Sequence, residues 1–102
     1  STNSDQPKFA LLVGVSKFKS PKVNTIPGCE NNVPALAETL IKDYGFPEKN
    51  VVSLLNEKAT KDAITKNFQT HLTENAKKAK AEGNEAVIVY YFCGHGSQYP
   101  DQ

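Results

Sequence analysis

The sequence predicts an α/β fold, a parallel sheet with helices packed on it, of three strands and two helices in these 102 residues. Three observations predict it. Short apolar runs alternate with segments of helical period. The first and last of those runs are almost uninterrupted, as in parallel strands covered on both faces. Helical segments lie between successive runs, so each strand returns through a crossover, and crossovers are right-handed.

The first run is Lys8-Phe9-Ala10-Leu11-Leu12-Val13-Gly14-Val15. Its length and residue types suit a buried strand. Residues Ser16 to Pro27 are rich in Lys, Ser, Pro and Asn and read as a loop. A helix is expected to begin between Gly28 and Asn32, capped by Asn31 or Asn32, with Pro34 in its first turn. Val33, Leu36, Leu40 and Ile41 then share one face. Gly45 and Pro47 end that helix. Asn50-Val51-Val52-Ser53-Leu54-Leu55 reads as a second strand and Asn56 to Ala59 as a turn. Thr60 can cap a second helix, with Ile64, Phe68 and Leu72 spaced four apart on its inner face. Gly83 breaks that helix. The third strand, Ala86 to Phe92, is β-branched or aromatic after its alanine and is expected to be buried.

Composition excludes several classes. There are 12 basic and 11 acidic residues, a net charge of +1, so no field favours nucleic acid or an anionic membrane. Lys77, Lys78 and Lys80 form a solvated helix end rather than a binding patch. No apolar run approaches the roughly 20 residues of a membrane span. The polar start, Ser1 to Gln6, lacks the regions of a signal peptide. Two cysteines, Cys29 and Cys93, make no dense disulfide framework, and a reducing, cytoplasmic setting is expected. There is no Gly-x-Gly-x-x-Gly and no phosphate loop, which argues against a nucleotide-binding domain. No zinc-ligand spacing is present, and His71 falls on the polar side of the second helix as a surface residue.

Chemistry concentrates after the third strand, in Cys93-Gly94-His95-Gly96-Ser97-Gln98. In open parallel sheets, ligands and reactions sit outside the carboxyl ends of the strands. Histidine titrates near neutrality and can accept and return a proton. Flanking glycines leave amide hydrogens open to a developing oxyanion, that of Gly96 among them. The tripeptide alone reads equally as a turn histidine between two turn glycines. Its place at the end of the strongest strand weighs toward catalysis.

Tyr90-Tyr91-Phe92-Cys93-Gly94-His95-Gly96-Ser97-Gln98 closely resembles the histidine motif of metacaspases and the related orthocaspases, usually Tyr-Tyr-Ser-Gly-His-Gly-Ser-Gln. Phe9 to Val15 looks like their first strand. Ile26-Pro27-Gly28-Cys29-Glu30-Asn31-Asn32-Val33 resembles their Leu-Arg-Gly-Cys-x-Asn-Asp-Val segment. Gly45-Phe46-Pro47 and Val51 to Asn56 match the second strand and its approach. The resemblance covers nearly the whole chain, in order. It implies the caspase-haemoglobinase-like fold, a three-layer αβα sandwich with a mainly parallel sheet, and a cysteine endopeptidase with a Cys–His dyad. His95 would be the general base and Gly96 would help hold the oxyanion. Cys29, Asn32 and Cys93 would line the substrate pocket.

The resemblance places the nucleophilic cysteine on the next parallel strand, which these residues do not include. Residues 1–102 are therefore expected to be one N-terminal part of the catalytic domain, inactive without a companion C-terminal segment or chain. Neither Cys29 nor Cys93 is expected to replace the nucleophile. Specificity for arginine or lysine is the family expectation, but Asn32 stands where an aspartate is usual and Cys93 where a serine is usual. Loss of one carboxylate partner is worth on the order of a few kcal/mol to a cationic substrate. No cofactor is implied by this segment; the acidic residues through which some metacaspases answer to calcium belong to later segments. Protein or peptide substrates are the expected partners. The alternative is a catalytically inactive caspase-like module that regulates or binds another protein.

Overall fold

The computed structural model describes residues 6–15 and 29–94, apart from the side chains of residues 29 and 30. The loop expected from Ser16 to Pro27, and the predicted His95 and Gly96, lie outside the described residues. Strand β1 is Lys8–Gly14, helix α1 is Cys29–Asp43 and strand β2 is Val51–Leu55. Short 3-10 turns occupy Glu48–Asn50 and Asn56–Lys58 on either side of β2. One helical run follows, made of α2 (Lys61–Asn67), a π-helical segment (Phe68–Thr73) and α3 (Glu74–Ala81). Strand β3 is Val87–Cys93. The order of elements is the β-α-β-α-β expected.

All pairings are parallel, and the strand order is β2-β1-β3. The central strand is the first and the most buried, because it alone is paired along both edges. Residues 10–13 and Val15 are at most 1% exposed. Strand alternation divides them between two cores. Ala10 and Leu12 pack with Val33, Leu40 and Phe46 beneath α1. Leu11, Val13 and Val15 pack with Ala59 and Leu72 on the opposite face. Burying each such side chain contributes about 1.5–3 kcal/mol before entropy is charged against it. One helical layer on each face makes the three-layer sandwich.

The caps follow local chemistry. Thr60 accepts a hydrogen bond from the Ala63 amide at 3.1 Å and starts α2 as expected. Gly83 takes φ +83°, its amide bonds Lys80 and the Asn84 amide bonds Ala79, a Schellman ending for α3. Lys77, Lys78 and Lys80 are exposed on α3, as a solvated helix end requires.

Four expectations need correction. Helix α1 starts at Cys29, so Asn31 and Asn32 lie inside it rather than capping it, and Pro34 falls in its second turn. Pro34 lacks the amide that would bond four residues back, and the helix carries that gap. Phe68 lies toward the sheet but is not buried: it is 45% exposed. The helical run lies over β1, and Phe68 overhangs β3, its ring edge-on to Tyr90 at 5.3 Å. The widened turn that begins at Phe68 breaks the four-residue period assumed for this face. Nor is β3 buried on both faces. Val87, Val89 and Tyr91 join the core beneath α1, but Ile88, Tyr90 and Phe92 are 39%, 44% and 37% exposed. The helical run covers this face only in part, with Phe68 reaching across to Tyr90. Finally, His71 is half-buried rather than a surface residue. Its Nε2 lies 2.7 Å from the Asn50 carbonyl, and its ring stands edge-on to Phe9 at 5.6 Å. Asn50 in turn donates from Nδ2 to the Lys8 carbonyl at 3.0 Å, so His71 links the helical layer to the start of the sheet.

Candidate functional site

The three strands end level. In the sheet register Leu55, Gly14 and Cys93 form one row, with Gly14 between the other two. Parallel strands of this kind bring their carboxyl ends, and whatever follows them, to one edge. Asn56 leaves β2 there, Val15 leaves β1, and Gly94 leaves β3.

The β1 and β3 ends are tied by backbone. The Val15 amide donates to the Cys93 carbonyl at 2.9 Å, extending the ladder one residue past β1. Gly94 follows with φ +146°. A Cβ at Gly94 would stand 2.8 Å from the Val15 carbonyl oxygen and 3.2 Å from the Val15 Cβ. Only glycine fits this approach without displacing main chain. The first glycine of Gly-His-Gly therefore has a structural duty: it lets the chain turn off the sheet against Val15. His95 is the next residue along.

Across the row, Asn56 is buried and has φ +51°, a left-handed conformation that asparagine tolerates better than most residues. Its carbonyl accepts from the Ala59 amide at 2.9 Å, closing the turn after β2. The sequence places Asn56 only in a turn. An asparagine directly after an apolar run was the available signal for a left-handed exit at the same edge as Gly94.

The predicted pocket residues stand as follows. Cys93 ends β3, half-buried, and is disulfide-bonded. The sequence reading gives Cys93 as a pocket residue and does not foresee a disulfide there. A linear count of cysteines cannot register that a parallel crossover returns distant segments to the same edge. Asn32 is exposed on the first turn of α1, and Cys29 is the first residue of that helix. By the topology, α1 starts from the side where β1 ends. Concave surface along the helical run, lined by Ile64, Thr65, Phe68, Gln69 and Thr73, belongs to the outer layer rather than to this edge. Among the described residues no three His, Cys, Asp or Glu side chains gather as a metal site needs. Burial against its neighbours raises the Tyr90 phenol above the ordinary tyrosine value.

A caspase-domain family model matches residues 7–102. The chain belongs to the caspase-domain family. It is 30% identical to Metacaspase-9 of Arabidopsis thaliana over 94 residues, covering 91% of this chain and 28% of that protein. It is 31% identical to Metacaspase-3 of the same plant over 99 residues, covering 92% of this chain and 25% of that protein. Metacaspase-1 of Schizosaccharomyces pombe is 27% identical over 92 residues, covering 90% and 21%. The chain thus spans about a quarter of the length of these relatives. Three parallel strands between helical layers agree with the caspase-like fold. No helix among the described residues is long and apolar enough to cross a membrane.

Proposed function

We propose that residues 1–102 are the N-terminal, histidine-bearing part of a metacaspase-type cysteine endopeptidase domain. The observation that carries this reading is the Val15–Cys93–Gly94 closure. It sets Gly94, the first glycine of the Gly-His-Gly sequence, at the carboxyl end of a parallel strand in a caspase-domain chain.

In this reading His95 takes the proton from a cysteine thiol. The thiolate attacks the substrate carbonyl, and the amide of Gly96 helps hold the oxyanion. The acyl-enzyme is then hydrolysed. The nucleophile comes from a companion C-terminal segment or chain, on the next parallel strand, as the metacaspase resemblance implies. The outer edge of β3 suits that companion: it has no strand partner among the described residues, and unpaired edges invite pairing. Autoprocessing would separate the two parts. Cys29, Asn32 and Cys93 sit on the substrate side, and Asn32 is exposed at the start of α1. We assign cleavage after arginine or lysine, weakened by the absence of a carboxylate at Asn32, in a cytoplasmic setting.

The test is labelling with a thiol-reactive peptide ketone ending in arginine, read by intact mass, in wild type and His95→Ala, with any longer form or co-purifying chain included. A His95-dependent adduct on a cysteine outside this chain supports the proposal. Failure of ketones ending in arginine, lysine and neutral residues alike would replace it with the inactive regulatory module.

A further inference from the structure

Cys93 is disulfide-bonded, and the sequence holds one other cysteine, Cys29. Strand β3 ends at Cys93, in the row where β1 also ends. Helix α1 begins at Cys29, on the return path from that same end of β1. The topology therefore brings both cysteine positions to the carboxyl edge, although almost the whole fold lies between them in sequence. We propose that Cys29 and Cys93 form a reversible intrachain disulfide, a redox latch that ties the start of α1 to the strand end from which the Gly-His-Gly loop departs.

The backbone around Cys93 gives the latch a firm anchor. Its carbonyl is held by the Val15 amide, and the next residue is pressed against Val15. Closing the bond restricts α1's first turn relative to that anchor, and opening it frees that turn. A disulfide exposed to a reducing compartment is transient and regulatory rather than structural. The chemistry is thiol–disulfide exchange. One cysteine thiolate attacks oxidised glutathione and expels one glutathione thiolate. The second cysteine thiolate then attacks the mixed disulfide and expels the other. Two protein thiols and one glutathione disulfide become one protein disulfide and two glutathione thiols. Reduction runs the same steps backwards. The existence of the bond is independent of the peptidase reading; its effect on the Gly-His-Gly loop rests on that reading.

The experiment equilibrates the full chain in buffers from oxidised to reduced glutathione, quenches with N-ethylmaleimide under denaturing conditions, and counts adducts by intact mass. Circular dichroism is recorded in each buffer before the quench. The expected result is no adduct in oxidised buffer, two in reduced buffer, native secondary structure at both extremes, and a peptide map of the oxidised form linking the Cys29 and Cys93 peptides. Cys29→Ser is expected to leave Cys93 alkylated or glutathionylated in every buffer. Free thiols in oxidised buffer would overturn the proposal. So would a Cys93–Cys93 dimer, or a bond that opens only when the chain unfolds. A linked peptide map with no peptidase activity in any longer form would leave the latch standing and remove the catalytic reading instead.

Discussion

The Val15 carbonyl oxygen lies where a Cβ on Gly94 would approach to 2.8 Å, and Gly94 holds φ +146° beside it. Two separate demands thus meet at one glycine. Gly94→Ala is expected to cost about 1–3 kcal/mol of stability for the backbone conformation alone. Urea unfolding measures that cost. Activity of the assembled enzyme should fall further than the stability loss explains, because displacing Gly94 moves the residue after it.

His95→Ala should separate chemistry from folding. In the assembled peptidase, kcat/KM on an arginine substrate is expected to fall by roughly 10²–10⁴-fold, the usual worth of a positioned general base. The urea midpoint of the chain should stay where it is. A fall in midpoint with preserved kcat/KM would assign His95 a structural role.

Thr60→Ala removes the hydroxyl that receives the Ala63 amide. A lost N-cap costs about 1 kcal/mol, and Thr60→Asp should restore most of it. Circular dichroism during urea unfolding reads both.

His71→Ala breaks the contact to the Asn50 carbonyl and the edge-on packing on Phe9. The expected loss is about 1–2 kcal/mol, since the carbonyl is left without that partner in a half-buried place. His71→Gln, which can still donate, should recover part of it. Catalysis should be unaffected once the protein is folded.

The Tyr90 phenol resists ionisation because its charged form would lose water. The folded pKa is above the unfolded one, so stability is complete below the unfolded value and declines as pH rises through and beyond about 10. Tyr90→Phe should flatten that alkaline decline relative to wild type in urea titrations at paired pH values.

Much of this was legible in residue order. Alternating apolar runs gave the parallel topology, and Thr60, Gly45 and Gly83 marked helix ends correctly because caps depend on a few neighbouring residues. Two kinds of feature were not legible. Phe68 and β3 were read as interior because hydrophobicity says that a side chain needs cover, not which neighbour lies in reach to provide it. Residues Ile88, Tyr90 and Phe92 are as apolar as the β1 residues, and only the strand order β2-β1-β3 distinguishes edge from centre. The disulfide at Cys93 escaped for the same reason. His95 is proposed as the base from its tripeptide and strand position alone, whereas the closeness of Gly94 to Val15 depends on register, which no local pattern encodes.

The central place of β1 also sets the order in which the molecule can be assembled. Lys8 to Gly14 pair with Val87 to Cys93, so β1 must wait for β3 before one of its edges is satisfied. That is a pairing of high contact order, and such topologies fold slowly because loop closure precedes any reward. During synthesis the most buried strand of the fold is held half-paired, against β2 at best. Of the described elements made before β3, α1 covers one of its faces.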